Sequence, residues 1–407
     1  MQKIWNNAEL KRAEKQEKKL FKAVQTAHKA GQMVHAQKLV KRYLISWAPK
    51  YVAVVEAHRK MPNHHKKTGM VAGTIASRMN SFEGTGEPVT LHFKTKGTDD
   101  DFRPIMDFGI ENRALQHLVL RVLEAQTNLH PSQYGTREGV TGAGQEVLKN
   151  LDAGFAYTAE IDIRDCFPSV GVKVLSDHLP IPKKVTDHVV ISQHLHLIPG
   201  NIKFFLGDPR DGADIELDVS DPLYQAIEEG RQGIPQGSAT SSLIAEMLFA
   251  PVLSALPECG RVVGYIDNFL VMGKTKDDVS SMIFSLEEAL WGHPVGPFVS
   301  RVVSDTPPEN NFNFLGYELF KKGTAYKARP SGPNLSEFSY RFDSGLDKIE
   351  NGTLSINVRQ KKAHDLKRYV RSWTASFSLW DRASKFRAAR LEQIRAAELL
   401  NKQQKVA

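Results

Sequence analysis

Residues 261–273, Arg-Val-Val-Gly-Tyr-Ile-Asp-Asn-Phe-Leu-Val-Met-Gly, constrain the fold more than any other stretch of the 407 residues. Val262, Val263, Tyr265 and Ile266 precede a tight turn, and Phe269, Leu270 and Val271 follow it. Two short runs of β-branched and aromatic residues with glycine at both flanks are the pattern of a hairpin. One carboxylate, Asp267, stands at its tip. An acid there either favours the turn through its own backbone or ligates something beyond it, and the rest of the chain decides between the two.

The length allows two or three domains, or one elongated enzyme. An apolar fraction of 41% with five Trp and twenty Phe excludes wholesale disorder. No apolar run approaches the roughly eighteen residues of a membrane span, and the basic, helix-like N-terminus has no signal-peptide core. Cys166 and Cys259 are the only cysteines, too few for a disulfide framework or a Cys-rich zinc site, so a cytoplasmic protein is expected. The net charge of +8 is unevenly spread. Residues 1–67 hold sixteen Lys and Arg against four Asp and Glu, residues 359–407 thirteen against four, and the residues between them twenty-five against thirty-eight. Basic ends around an acidic centre suit a polyanion gripped at the flanks while the carboxylates do something else.

Apolar spacing predicts a basic amphipathic helix over 6–30 and a second helical stretch over 36–60, which Pro49 kinks or splits. Strands follow at 89–95 and 102–108 around a polar turn. Then come a helix over 113–124, a loop at Tyr134-Gly135-Thr136-Arg137-Glu138-Gly139, a helix near 145–152 and a strand over 155–163. The acidic segment 208–221 has no assignable pattern, and helices are predicted over 335–350, 361–378 and 382–402. Period-two alternation puts Glu160 and Asp162 on one face of their strand. With Asp162 beside Asp267, two carboxylates can share divalent cations. Between them Gly233-Ile234-Pro235-Gln236-Gly237-Ser238 forms a rigid turn leading into an apolar helix over 243–253. Such a turn can press backbone against a nucleotide or template strand, where a side chain at Gly237 would intrude.

In this order and spacing the chain resembles the reverse transcriptases, in particular the bacterial group II intron, retron and phage-defence lineages. Ile161-Asp162-Ile163-Arg164-Asp165-Cys166-Phe167-Pro168-Ser169-Val170 resembles their first catalytic motif, Gly233 to Ser238 the second, and Tyr265-Ile266-Asp267-Asn268 the third. Phe314-Leu315-Gly316-Tyr317 is similar to their primer-grip turn, and Arg103-Pro104-Ile105, Asn112-Arg113 to Gln116 and Tyr134 to Arg137 to their fingers motifs. The likeness is collinear from about residue 90 to 320, and extends more weakly to 39–60 and 366–377.

The resemblance implies an α+β right-hand polymerase fold. Its parts would be a basic N-terminal helical region (1–67), fingers (68–150), a palm of antiparallel sheet with helices (151–325) and an α-helical thumb (326–407). It implies that Asp162 and Asp267, with the Ile163 carbonyl, ligate two Mg²⁺ ions, Mn²⁺ being the alternative. Phe167 would be the steric gate that selects dNTPs, and Gln236 and Gly237 would contact the nascent pair. Arg103, with Lys94 or Lys96, would clamp the incoming triphosphate. The implied partners are a structured non-coding RNA as template, dNTPs and a DNA product, with no membrane. The implied function is RNA-directed DNA polymerase, acting in phage defence. A catalytically weak RNA-binding scaffold or maturase is an alternative, as is template-independent or protein-primed DNA synthesis.

Three departures from the family pattern stand out. Asn268 replaces a second aspartate and brings no charge, Arg301 is the nearest cation where a lysine general acid is expected, and Ser241-Ser242 replaces Ser-Pro. On this reading, Asn268→Asp restores a ligand charge and preserves or raises activity. No endonuclease signature follows the thumb-like segment, which favours a stand-alone enzyme over a mobile-intron protein.

Overall fold

The computed structural model describes residues 3–62, 65–66, 69–95, 102–200, 222–350 and 354–403, so Lys96 and the acidic segment 208–221 lie outside the described residues. Its first helices are α1 (Asn7–Lys29), α2 (Met33–Ile45), α3 (Trp47–Lys60), α4 (Ala72–Arg78), α5 (Ile110–Gln126), α6 (Gly139–Asp152) and α7 (Val172–His178). After them come α8 (Pro222–Gly230), α9 (Ser241–Ser254), α10 (Lys276–Trp291), α11 (Gly332–Glu350), α12 (Ile356–Ser376) and α13 (Ala383–Gln403). The strands are β1 (Val89–Thr95), β2 (Phe102–Asp107), β3 (Tyr157–Ile163), β4 (Leu197–Pro199), β5 (Arg261–Tyr265) and β6 (Asn268–Gly273), followed by β7 (Ser300–Thr306), β8 (Phe312–Phe314), β9 (Tyr317–Lys322) and β10 (Ala325–Pro330). The class is α+β. No helix among the described residues is long and apolar enough to cross a membrane. One compact unit comprises Met1–His130, Ile163–Ala255 and Glu287–Ser300, and a second comprises Pro131–Asp162, Leu256–Leu286 and Arg301–Ala407.

In the first unit α1 turns Leu10, Ala13, Val24 and Ala27 inward against α2, α3 and α5, and its lysines face solvent. Asn6 caps α1, its Oδ1 accepting from the Ala8 and Glu9 N–H groups at 2.8 and 3.2 Å. The predicted 36–60 helix is interrupted at Ser46. Pro49 falls instead in the first turn of α3, where a missing N–H leaves no intrahelical bond unmade. Glu17 is buried in this bundle and accepts the Tyr43 hydroxyl at 2.5 Å. Burial, reinforced by the Glu17 charge, holds that hydroxyl far above its ordinary range.

β1 and β2 pair antiparallel from Thr90↔Asp107 to Thr95↔Phe102, and β4 joins β1 in parallel. Val89, Leu91 and Phe93 point inward with Met106, Phe108 and Ala226 of α8. Arg113 on α5 anchors this hairpin, donating to Asp107 Oδ1 at 2.7 Å and to the Phe108 carbonyl at 2.6 Å. α9, whose sequence is apolar around most of its circumference, is correspondingly buried, and its Phe249 meets Phe298 edge-on at 5.1 Å.

The second unit holds a four-stranded sheet of order β5-β6-β3-β7 and a three-stranded sheet of order β10-β9-β8. α6 packs on β5 and β10, and Val147, Leu151, Val263, Leu270, Met272 and Tyr317 share one core. The C-terminal helices α11, α12 and α13 bury Phe338, Phe342, Val370 and Ile394 against one another. Phe338 also lies against the Trp373 ring at 4.4 Å.

His117 on α5 supplies a stability test of the first unit. Burial, with the Lys60 and Arg113 charges outweighing Glu56, lowers its pKa to about 4. The unfolded chain, with an imidazole near about 6.5, binds the extra proton between these values, so stability is full above that pH and is lost as pH falls toward 4. We expect up to about 3 kcal/mol of pH-dependent unfolding free energy across this window, removed in His117→Gln, as measured by urea denaturation at several pH values.

Candidate functional site

The hairpin expected at 261–273 is present as β5 and β6, with Tyr265 paired to Asn268 and only Ile266 and Asp267 between the strands. Ile266 has φ +60°, a left-handed conformation that a β-branched residue adopts at a cost of about 1–2 kcal/mol. The strain is held by pairing on both sides, since β6 lies between β5 and β3. The loop Tyr134–Arg137 backs the hairpin: Tyr134 N–H donates to the Gly264 carbonyl at 2.9 Å, and Gly264 N–H to that of Ser132 at 2.8 Å.

The β3–β6 register places Asp162 opposite Asn268, one residue from Asp267. Paired residues share a face, and Glu160 is the diagonal neighbour of Asn268 on that face. Asn268 Nδ2 donates to Glu160 Oε1 at 2.8 Å. That bond fixes the amide orientation, because only the NH₂ end can face a carboxylate. The opposite end, Asn268 Oδ1, is a buried oxygen with no hydrogen-bond partner. Burial, partly offset by the Asn268 bond and reinforced by Asp162, holds the Glu160 carboxyl above its usual range. On the strand's other edge Arg301 of β7 donates to Asp162 Oδ2 through Nη2 at 3.0 Å and Nε at 3.2 Å. Period two signals the shared face of Glu160 and Asp162, but neither the Glu160–Asn268 bond nor the Arg301 ion pair has a signature in sequence.

The other predicted residues belong to the first unit. Ile163 is the last residue of β3, and Phe167 lies in the turn beyond it, half-buried and outside the apolar core. Ile234 N–H donates to the Phe167 carbonyl at 3.0 Å, and a Cβ at Gly233 would stand 2.0 Å from that same oxygen. The Gln236 carbonyl accepts from Met106 N–H at 2.8 Å. Gly237 has φ +106°, and a Cβ there would meet the Met106 carbonyl oxygen at 2.4 Å, so β2 itself supplies a reason for glycine. Ser241 Oγ donates to the Pro235 carbonyl at 2.8 Å, tying this turn to α9. Lys94 and Arg103 are exposed and directly opposite each other on β1 and β2.

Residues 94–319 match the reverse transcriptase (RNA-dependent DNA polymerase) family. The chain belongs to that family. Among solved structures, telomerase from Candida albicans in complex with a TWJ fragment of telomeric RNA is similar at 11% identity and a TM-score of 0.35, over 79% of this chain and 66% of that one. Apo telomerase from Candida tropicalis, truncated from its C-terminal domain, is similar at 12% identity and a TM-score of 0.34, over 60% and 55%. The chain thus spans less than two thirds of either. No curated protein matches it.

The family implies a divalent cation. Among the described residues no three His, Cys, Asp or Glu side chains converge to hold a metal. The donors at hand are two carboxylates, Asp162 and Asp267, and the unpartnered Asn268 oxygen. This all-oxygen set is of the kind that suits a hard divalent cation.

The Glu160 contact changes what Asn268→Asp should do. The substitution sets a second carboxylate against Glu160 in place of a donor, so we expect it to lower unfolding free energy by about 1–3 kcal/mol in EDTA. Adding Glu160→Gln restores a donor and should recover most of that loss in chemical denaturation; an Asn268→Asp protein as stable as wild type would refute the pairing. Gly237→Ala, strained in φ and in collision with β2, is expected to cost more than about 2 kcal/mol by the same measurement.

Proposed function

We propose that the chain is an RNA-directed DNA polymerase of the bacterial group II intron, retron and phage-defence lineage, extending a 3′-hydroxyl with dNTPs on a structured RNA, in the cytoplasm and in phage defence. The observation that carries this reading is the Asp162↔Asn268 pairing, which brings Asp162 one residue from Asp267 within the segment that matches the family. In this reading the N-terminal helical region (1–67), fingers (68–150), palm (151–325) and thumb (326–407) keep the family's boundaries.

Two Mg²⁺ ions, or Mn²⁺, would supply charge that lowers the pKa of the 3′-hydroxyl and stabilises the departing pyrophosphate. Asp162, Asp267 and the Ile163 carbonyl would hold them, with Asn268 Oδ1 as a neutral donor in place of the family's second aspartate. Until then Arg301 offsets the Asp162 charge. More than half exposed, that guanidinium can swing away at little energetic cost, as exposed pairs contribute only about 0–1 kcal/mol. Lys94 and Arg103 repel across their strands, an arrangement that an anion relieves. The triphosphate of a dNTP is the anion that the reaction brings. Lys96 is the alternative to Lys94. With its carbonyl engaged by Met106, Gln236 has its side-chain amide for the nascent pair alongside Gly237, and the half-buried Phe167 ring would exclude a ribose 2′-hydroxyl. The exposed Lys11, Lys15, Lys18 and Lys22 of α1, and Lys361, Lys362, Arg368 and Arg371 of α12, would grip the RNA backbone.

A second reading, an RNA-binding scaffold or maturase of weak activity, is favoured by the neutral Asn268 and by the Arg301 ion pair on Asp162. The two separate in one assay. The purified protein, with its co-purifying nucleic acid, is incubated with labelled dNTPs and Mg²⁺. Asp162→Ala and Asp267→Ala should each reduce incorporation by about a hundredfold or more, and Phe167→Val should raise ribonucleotide incorporation. Absence of Asp267-dependent synthesis with any primer or metal leaves the scaffold. A product whose sequence matches no bound RNA points instead to template-independent or protein-primed synthesis.

A further inference from the structure

Two helices carry apolar side chains on their solvent faces, and the charges set among them are of opposite sign. Along the one continuous helix α10, Val279, Met282, Leu286 and Leu290 are buried. On the opposite face, at heptad spacing, stand Phe284 and Trp291, 68% and 66% exposed, with the exposed Glu287 and Glu288 between them. Among the described residues neither ring meets another ring or a cation, and neither glutamate has an ion-pair partner. α2 has the reverse sign. It buries Ala36, Val40, Tyr43 and Leu44, and exposes Val34 at 71% and Ile45 at 62%. Lys38 and Lys41 lie between those two on the same stripe, with Arg42 beside it, all exposed. None of the three cations has a carboxylate partner among the described residues.

Exposed aromatic side chains on one helix face are where interface energy concentrates, so the α10 stripe marks a contact surface. Nucleic acid and anionic lipid do not fit it, because Glu287 and Glu288 repel phosphate. An isologous pairing of two α10 helices does not fit either, since it sets these glutamates against their own copies. The partner has to be apolar at its ends and cationic between them. That is the pattern of α2: apolar, cation, cation, apolar against apolar, acid, acid, apolar. The apolar ends lie about 16 Å apart along α2 and about 10 Å along α10, a difference of about 3 Å at each end that a Phe or Trp ring can span.

We propose that α10 of one copy of the chain docks on α2 of a second copy, so that the protein self-associates head to tail. The contact uses none of the residues assigned above to DNA synthesis or to gripping RNA. Each copy keeps one stripe of each sign after the first contact, so association continues to a ring or a short filament. A seam of three or so helical turns is smaller than a standard interface, and its charges are exposed, which makes the contact one of micromolar strength that salt weakens.

The test uses the full chain, freed of nucleic acid by nuclease, in sedimentation velocity from about 1 to 100 µM. Wild type should form larger species as concentration rises, and these should recede between about 0.1 and 0.5 M NaCl. Three double variants change exposed positions alone and should melt with wild type: Phe284→Ser with Trp291→Ser, Glu287→Lys with Glu288→Lys, and Lys38→Glu with Lys41→Glu. Each should sediment as a monomer. Mixed in equal amounts, the two charge-reversed proteins should associate again, because each stripe then finds one of opposite sign on the other protein. A wild type that is monomeric throughout, or a mixture that stays monomeric, overturns the proposal. So does association that survives reversal of Lys38 and Lys41, which would mean that α10 takes another partner surface; if that variant also loses co-purifying nucleic acid before nuclease treatment, α2 is an RNA face instead.

Discussion

The antiparallel pairing of β3 with β6 is the constraint on which the proposed chemistry depends. Side chains alternate between faces with period two, so a one-residue slip would carry Asp162 and Glu160 to the opposite face and separate them from Asn268. The slip is opposed by the apolar residues between the acids and beyond them. Ile161 and Ala159 on β3, and Phe269, Leu270, Val271 and Met272 on β6, are all buried, and shifting them would expose several large side chains at about 1.5–3 kcal/mol each. The same pairing anchors Asn268, the residue that closes the hairpin after the strained Ile266. A left-handed isoleucine persists only where its surroundings over-determine it, and here a strand pairs with β6 on each side.

Strand and helix positions were legible because burial is periodic, and so were the acids that ride on them. The hairpin tip, the shared face of Glu160 and Asp162, the apolar α9 and the C-terminal helices all follow from the spacing of apolar residues. Local backbone chemistry was less legible. Proline at position 49 reads as a helix breaker, yet the chain breaks three residues earlier and uses the proline in a first turn, since periodicity runs through both helices and hides the junction. Gly237 reads as a place where backbone approaches a ligand, but the nearest obstacle to a side chain is the Met106 carbonyl. A sequence marks that a glycine is present and not what stands against it.

Contacts between distant polar side chains were the least legible. Arg301 and Asp162 are 139 positions apart, Asn268 and Glu160 are 108 apart, and nothing periodic links either pair. Both pairs lie within hydrogen-bond reach only because the order β5-β6-β3-β7 sets β3 between β6 and β7. Asp162 is therefore flanked by two different devices. On one side a cation offsets its charge, and on the other stands a neutral amide that is bonded to Glu160.

That second device gives Asn268 a physical reason beyond the loss of a ligand. With aspartate at position 268, the face would crowd Glu160, Asp162 and residue 268 together beside Asp267, and like charges at hydrogen-bond distance resist ionising together. An amide in that position turns its NH₂ toward Glu160 and leaves an oxygen free, so one side chain relieves repulsion and still presents a donor on the face of Asp162. The neutral residue and the extra acid are then two halves of one arrangement. Substituting either alone breaks a hydrogen bond between partners half-withdrawn from water, whereas exchanging the carboxylate and amide between positions 160 and 268 preserves the bond and the charge of the pair.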